Sequence, residues 1–259
     1  MQIILKSARE IEAMRRAGAL AAAIVEKMRQ RVCPGISTIA LDDLVRIELS
    51  KAGAISTLKN LPSPEFPGHC CICVNDEVLH APPGSRVLHE GDIVTLDVGV
   101  LLEGYCGSRA LTVPVGSVDA ERARLLRVTE QTLAMAIDQM KPGEKWSDIA
   151  RLIQQNLESN GYNVVREFVG HGIGKALIEN PPVPNFYGSD TLRRDFRLRP
   201  GMTLTVEPIV LSGSRGIYLM PDGFTVVTED RTPAAHVRHT VAITGTGVDV
   251  LTKLLAEAG

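Results

Sequence analysis

Arg238 lies in "TPAAHVRHTVAIT" (232–244), where strand alternation puts His236, Arg238 and Thr240 on one face and Val237, His239 and Val241 on the other. A guanidinium among apolar neighbours is costly unless a negative group meets it. A one-residue slip would turn Arg238 outward and His239 inward. Two carboxylates are candidates to meet an inward Arg238: Asp97, which ends "GDIVTLD" (91–97), and Glu207, which ends "GMTLTVE" (201–207). His171 stands between glycines in "VGHGIG" (169–174), where the backbone can bend and present the imidazole. His80 closes "VNDEVLH" just before the rigid "APP". If the hairpin that follows Asp97 turns near residue 102 or 103, Ser108 lies opposite Asp97. Carboxylates, imidazoles and a guanidinium meeting at one mouth are equipment for acid–base chemistry.

The elements that must bring them together alternate along the chain. Ser7 and Glu10 form a capping box ahead of an apolar stripe at helical spacing, Ile11, Met14, Ala21, Ile24, Val25 and Met28. Thr38 is placed to cap a second helix ending at Gly53, and the strand "HCCICVNDEVLH" (69–80) follows. Helices are expected over about 119–140 and 148–159, the latter capped by Ser147, with strands in "YNVVREFVG", "MTLTVEPIVL", "FTVVTED" and "HTVAIT". The chain also repeats itself. "CPGISTIALDDLVRIELSKAG" (33–53) matches "KPGEKWSDIARLIQQNLESNG" (141–161) at an offset of 108 residues, and the strands ending in Asp97 and Glu207 match at an offset of 110. Duplication explains two matches at nearly one offset. The expected architecture is one α+β domain of two pseudo-symmetric halves, about 1–117 and 118–259, packed around a shared curved sheet. Asp97 and Glu207 then hold equivalent positions at the junction, where an active site is expected.

Composition narrows the function. With 44% hydrophobic residues, a net charge of −2, 4% aromatics and no basic run, the chain does not read as a nucleic-acid binder. No apolar run approaches membrane-spanning length, and the N-terminus lacks a signal-peptide stretch, so a cytoplasmic location and no membrane partner are expected. Five cysteines, three crowded in "HCCIC" (69–73), argue against a disulfide framework and read as buried free thiols. Cys70, Cys71, Cys73 and Cys106 fall near the expected mouth, but spacing assigns none of them a histidine partner as a nucleophile would need.

"VNDEVLHAPP", "EGDIVTLDVGV", "GYCGS", "VVREFVGHGIG", "RPGMTLTVEPIV" and "DGFTVVTEDRTPAAHVRHTVAIT" together resemble the type I methionine aminopeptidases over roughly residues 3–245. The resemblance implies the pita-bread fold, shared with prolidases and with creatinase, a relative that hydrolyses its substrate without metal. It also implies a site built for two divalent metals on five side chains, of which Asp97, His171 and Glu207 match three. Ser108 and Arg238 stand where the family carries its two bridging carboxylates. His80 matches the family's substrate-side histidine, while Ile178 replaces a second histidine, and Leu177 and Phe224 fall at positions usually held by Phe and Trp in the methionine pocket.

Electrostatics sets the expectation for the metals. Two cations a few ångströms apart need bridging carboxylates to neutralise them. A fixed guanidinium about 4 Å from a dication is repelled by roughly 8 kcal/mol at an effective dielectric of about 20. A dinuclear centre is therefore not expected, and Arg238 is expected in the pocket, paired with Asp97 and Glu207. The leading expectation is a metal-independent enzyme without cofactor, acting on a small amino-acid-like molecule or short peptide by C–N hydrolysis, elimination or isomerisation. In it His80 or His171 serves as general base or acid, Asp97 and Glu207 orient the histidines or bind a substrate cation, and Arg238, Ser108, His236, Phe224, Leu177 and Ile178 bind substrate, Arg238 through a carboxylate. Two alternatives stand beside it. One is a mononuclear metalloaminopeptidase holding Mn²⁺ or Co²⁺ on Asp97, His171 and Glu207 and removing N-terminal methionine. The other is a non-catalytic binding module.

Overall fold

Ser7 accepts a hydrogen bond from the Glu10 N–H while the Glu10 carboxylate accepts one from the Ser7 N–H, closing the capping box that starts helix α1 (Ala8–Arg31). The computed structural model describes residues 2–60 and 65–254. Met14, Ala17, Ala21, Ile24, Val25 and Met28 line the buried face of α1. Helix α2 (Thr38–Lys51) packs beside it over the same apolar layer, which includes Leu41, Val45, Leu96 and Val98. Helices α3 (Ala120–Asp138) and α4 (Trp146–Ser159) cover a second layer with Leu125, Trp146, Ile153 and Leu204. No helix among the described residues is long and apolar enough to cross a membrane.

Two expected caps are corrected. Thr38 does not cap α2: it is the first helical residue, and its hydroxyl exchanges hydrogen bonds with the backbone of Gly84 at 3.0 and 2.9 Å. Nor does Ser147 cap α4, which already begins at Trp146. Instead Asp195 arrives from far along the chain and accepts from the Ser147 N–H at 3.0 Å and its hydroxyl at 2.8 Å, placing a carboxylate where the helix dipole favours one. The approaches to α2 and α4 carry the same contacts. The Gly35 N–H donates to Leu88 O and the Gly143 N–H to Leu198 O, each at 2.8 Å, and β-bridges join Ser37 to Val87 and Lys145 to Arg197.

The long hairpin pairs strand Ile93–Leu102 with strand Tyr105–Pro114. Its turn is Glu103–Gly104, both at positive φ (50° and 80°), which is one step further along than expected. The register follows from that turn: Gly99, not Asp97, faces Ser108, and Asp97 faces Ala110. Ser108 still shares a face with Asp97, because a shift of two residues preserves the alternation. The strand expected over 69–80 is two strands, Cys71–Val74 and Glu77–Leu79, broken at Asn75 with φ 57°. "MTLTVEPIVL" likewise splits into Thr203–Val206 and Ile209–Leu211, since Pro208 has no N–H to give a ladder.

Strand His239–Ile243 pairs with Thr203–Val206, which in turn meets Gly170–Gly172. The strand expected across 232–244 is interrupted at Val237 and Arg238, where the chain passes from the sheet of Ile209–Leu211 to that of Thr203–Val206 and bridges the hairpin at Ala110. Arg238 N–H donates to Ala110 O at 2.9 Å, and Ala110 N–H donates back to Arg238 O at 3.3 Å. One step on, the Thr240 hydroxyl accepts from Ser108 N–H at 3.0 Å and lies 2.9 Å from Ser108 O.

Helix α1 crosses this hairpin at glycine. A Cβ on Gly107 would fall 2.4 Å from the backbone nitrogen of Gly18. Gly107→Ala is expected to cost about 1–3 kcal/mol through overpacking against backbone that cannot yield. A urea melt would read this as a lower midpoint at unchanged slope.

Candidate active site

The side chain of Arg238 leaves the seam between the sheets and enters a carboxylate pair. Its Nε and Nη2 donate to Glu207 Oε2 at 2.8 and 2.6 Å, and Nη1 donates to Asp97 Oδ1 at 2.5 Å and Ser108 Oγ at 3.0 Å. The three charged side chains are at most 11% exposed. Burial alone would raise the Glu207 carboxyl, but Arg238, with help from His236 and His171, holds it well below the usual carboxylate range. Burial likewise opposes the charge on Arg238, and Asp97 and Glu207 overcome it. The sequence placed these residues together, and the structure brings them together.

Two expected substrate contacts are corrected. Four donor bonds of Arg238 are committed within the floor, and two carboxylates outweigh its single positive charge, so a substrate carboxylate would meet a net negative surface. His236 is 1% exposed, with its Nε2 3.3 Å from Glu207 Oε2, and it does not line the cavity.

His171 is held by its neighbours. Its N–H donates to Thr205 Oγ1 at 2.9 Å, and Nδ1 lies 2.9 Å from Gly172 O. With Nδ1–H donating there, Nε2 keeps its lone pair on the side of Glu207, 3.9 Å away. Burial lowers the His171 pKa against the opposing pull of Glu207. His80 adopts φ 59°, a conformation few non-glycine residues take, and its ring meets Phe168 edge-on at 5.5 Å. Burial again dominates and lowers its pKa, so it is a neutral imidazole near pH 7.

Above this floor opens a cavity of about 540 Å³, into which Asp97, Ser108, Arg238, His80 and His171 project from below. Leu177, Ile178 and Phe224 line its walls, as do Phe66, Phe168 and Leu219, which sequence reasoning did not select. Phe66 and Phe224 stack edge-to-face at 5.4 Å. Cys71 pairs across the strands with Asp97 and also faces the cavity. Burial and the nearby Asp97 push its thiol well above the ordinary value, and Cys70 and Cys73 are likewise raised by burial, so none of the three is an activated nucleophile. Thr57 and Gly99 complete the lining. A glycine inside a strand, two residues past a candidate catalytic aspartate, was the signal available for them.

Asp97, His171 and Glu207 carry the right donor atoms for a divalent ion, but the guanidinium occupies the space between the two carboxylates. Among the described residues no group of three or more His, Cys, Asp or Glu side chains is gathered as an ion would need. In this arrangement the donors do not fit a metal.

Comparison with known proteins defines the class. Residues 12–245 match the model of metallopeptidase family M24, and the chain belongs to that family. It is 44% identical to methionine aminopeptidase 1 of Bacillus subtilis over 252 residues, 97% of this chain and 100% of that protein. It is 37% identical to the methionine aminopeptidase of Escherichia coli over 97% of this chain and 94% of that protein. The crystal structure of methionine aminopeptidase from Thermotoga maritima superposes with a TM-score of 0.92 at 38% identity, covering 97% of this chain and 100% of that one. The prolidase from Pyrococcus horikoshii shares the fold alone, with a TM-score of 0.75 at 20% identity over 97% of this chain and 64% of that one. The fold is thus the pita-bread fold.

These relatives overturn two expectations drawn from the sequence, a metal-independent enzyme and the absence of a cofactor. A family of metallopeptidases, matched along nearly the whole chain by methionine aminopeptidases, favours the metalloaminopeptidase alternative. With Arg238 between Asp97 and Glu207 the floor repels a dication, and it is the kinship, not this geometry, that favours a metal.

Proposed function

We propose that this chain is a divalent-metal aminopeptidase that releases methionine from the N-terminus of peptides, with Asp97, His171 and Glu207 as the side chains open to an ion such as Mn²⁺ or Co²⁺ once Arg238 has left them. The identity to methionine aminopeptidases across 97% of the chain carries this reading. The cavity supports it: apolar walls from Phe66, Leu177 and Phe224 suit an unbranched apolar side chain, and Asp97 faces the same space. His80 faces the same cavity as a neutral imidazole and holds or moves a proton there. His80→Ala is expected to lower kcat by about 10²- to 10⁴-fold while the fold persists, read as methionine release with circular dichroism as control.

The direct test is release of free methionine from Met-Ala-Ser by protein loaded with Mn²⁺. Release that a chelator abolishes supports the proposal, and none at any metal concentration refutes it. A second reading, peptide binding without turnover, is favoured by the Arg238 ion cluster, and the same assay combined with a binding measurement separates the two.

The same proposal includes a cytosolic location and one domain of two like halves, about 1–117 and 118–259. The recurring contacts ahead of α2 and α4 and the Ala110–Arg238 bridge between the sheets support the latter.

A further inference from the structure

Thr57 opens the short 3-10 turn Thr57–Asn60 and is 3% exposed. Its hydroxyl has no hydrogen-bond partner, yet the residue lines the cavity. Burying a hydroxyl without a partner is unfavourable, so a group with this placement is explained by something that enters the cavity and bonds to it. Its location identifies which end of the occupant it meets. A Cβ on residue 99 would lie 2.0 Å from Thr57 Oγ1, so the hydroxyl reaches its position only because residue 99 is glycine. Gly99 stands two residues past Asp97 on the same strand face and opposite Ser108. Thr57 is therefore delivered to the charged floor of the cavity.

We propose that Thr57 Oγ1 is a substrate-binding group that accepts a hydrogen bond from the α-ammonium of the bound N-terminal residue. This rests on the function proposed above, which places a peptide N-terminus in the cavity. An ammonium fans out three N–H donors and is best held by several acceptors. Asp97 lines the same cavity, and the Thr57 hydroxyl adds a neutral acceptor on that strand face.

The test is calorimetric titration of the protein as purified with L-methioninol, which carries the ammonium and the side chain but no amide to cleave, and with N-acetyl-L-methioninol. Thr57→Val is expected to bind L-methioninol about tenfold more weakly than the parent, to leave binding of the acetylated compound unchanged, and to melt no lower than the parent, because the hydroxyl makes no bond in the free protein. Thr57→Ser should restore the affinity. Equal affinity of Thr57→Val and the parent for L-methioninol, an equal loss for both compounds, or a melting point several degrees lower would each overturn the contact alone. A parent that binds neither compound would overturn the proposed function and this contact with it.

Discussion

The double variant Ser108→Asp, Arg238→Glu is expected to bind Mn²⁺ at least about a hundredfold more tightly than the parent. Arg238 now spans Asp97 and Glu207 with its charge buried between them. Repulsion of roughly 8 kcal/mol between a guanidinium and a dication about 4 Å apart is an upper bound, and even a third of it corresponds to about a hundredfold. The exchange also moves the formal charge of the floor by three units towards negative. Without metal, four carboxylates would then crowd a floor shielded from water, so the variant should melt well below the parent and recover on adding Mn²⁺. Calorimetric titration gives the affinity and a thermal melt gives the recovery. Equal Mn²⁺ affinity in variant and parent would show that residues 108 and 238 do not govern access to the floor.

Removing one counter-ion should have the second-largest effect. Glu207→Ala leaves Arg238 buried with Asp97 as its remaining carboxylate partner, and deprives Thr205 Oγ1 of the oxygen it donates to at 2.7 Å. Breaking a buried ion pair from one side costs about 3–5 kcal/mol, because the surviving charge keeps its desolvation penalty. For a chain of this size that is a fall of about 6–20 °C in Tm. Changing Arg238 and Glu207 together to apolar residues of similar volume should cost much less, since no orphaned charge remains. Scanning calorimetry on the single and paired variants checks both statements. A Glu207→Ala melt within a degree or two of the parent would mean that Arg238 finds another partner.

How much of this was legible in the sequence differs from residue to residue. The Ser7–Glu10 capping box and the stripe of α1 were readable because both depend on neighbours within one or two turns. The inward turn of Arg238 followed from the family resemblance, because alternation alone left a one-residue slip open. The pairing of Ser108 with Gly99 was not, because one residue's error in placing the Glu103–Gly104 turn shifts every partner along the hairpin by two. His236 shares the Arg238 face, yet alternation gives only a side and not a depth, and His236 is buried against Glu207 away from the cavity lining. Asp195, which holds the start of α4, and Thr57, which reaches past Gly99, act across long sequence separations that no local pattern encodes. The metal was misjudged for a different reason. Charge arithmetic on Asp97, Glu207 and Arg238 describes the floor with the guanidinium in it, whereas kinship with metallopeptidases favours a metal.

Whether this chain is a metal-dependent aminopeptidase is decided by the rate of methionine release from Met-Ala-Ser as a function of added Mn²⁺. The rate is expected to rise from zero to saturation with the metal and to return to zero with a chelator. Release that is indifferent to both metal and chelator, or no release at any Mn²⁺ concentration, would contradict the proposed function.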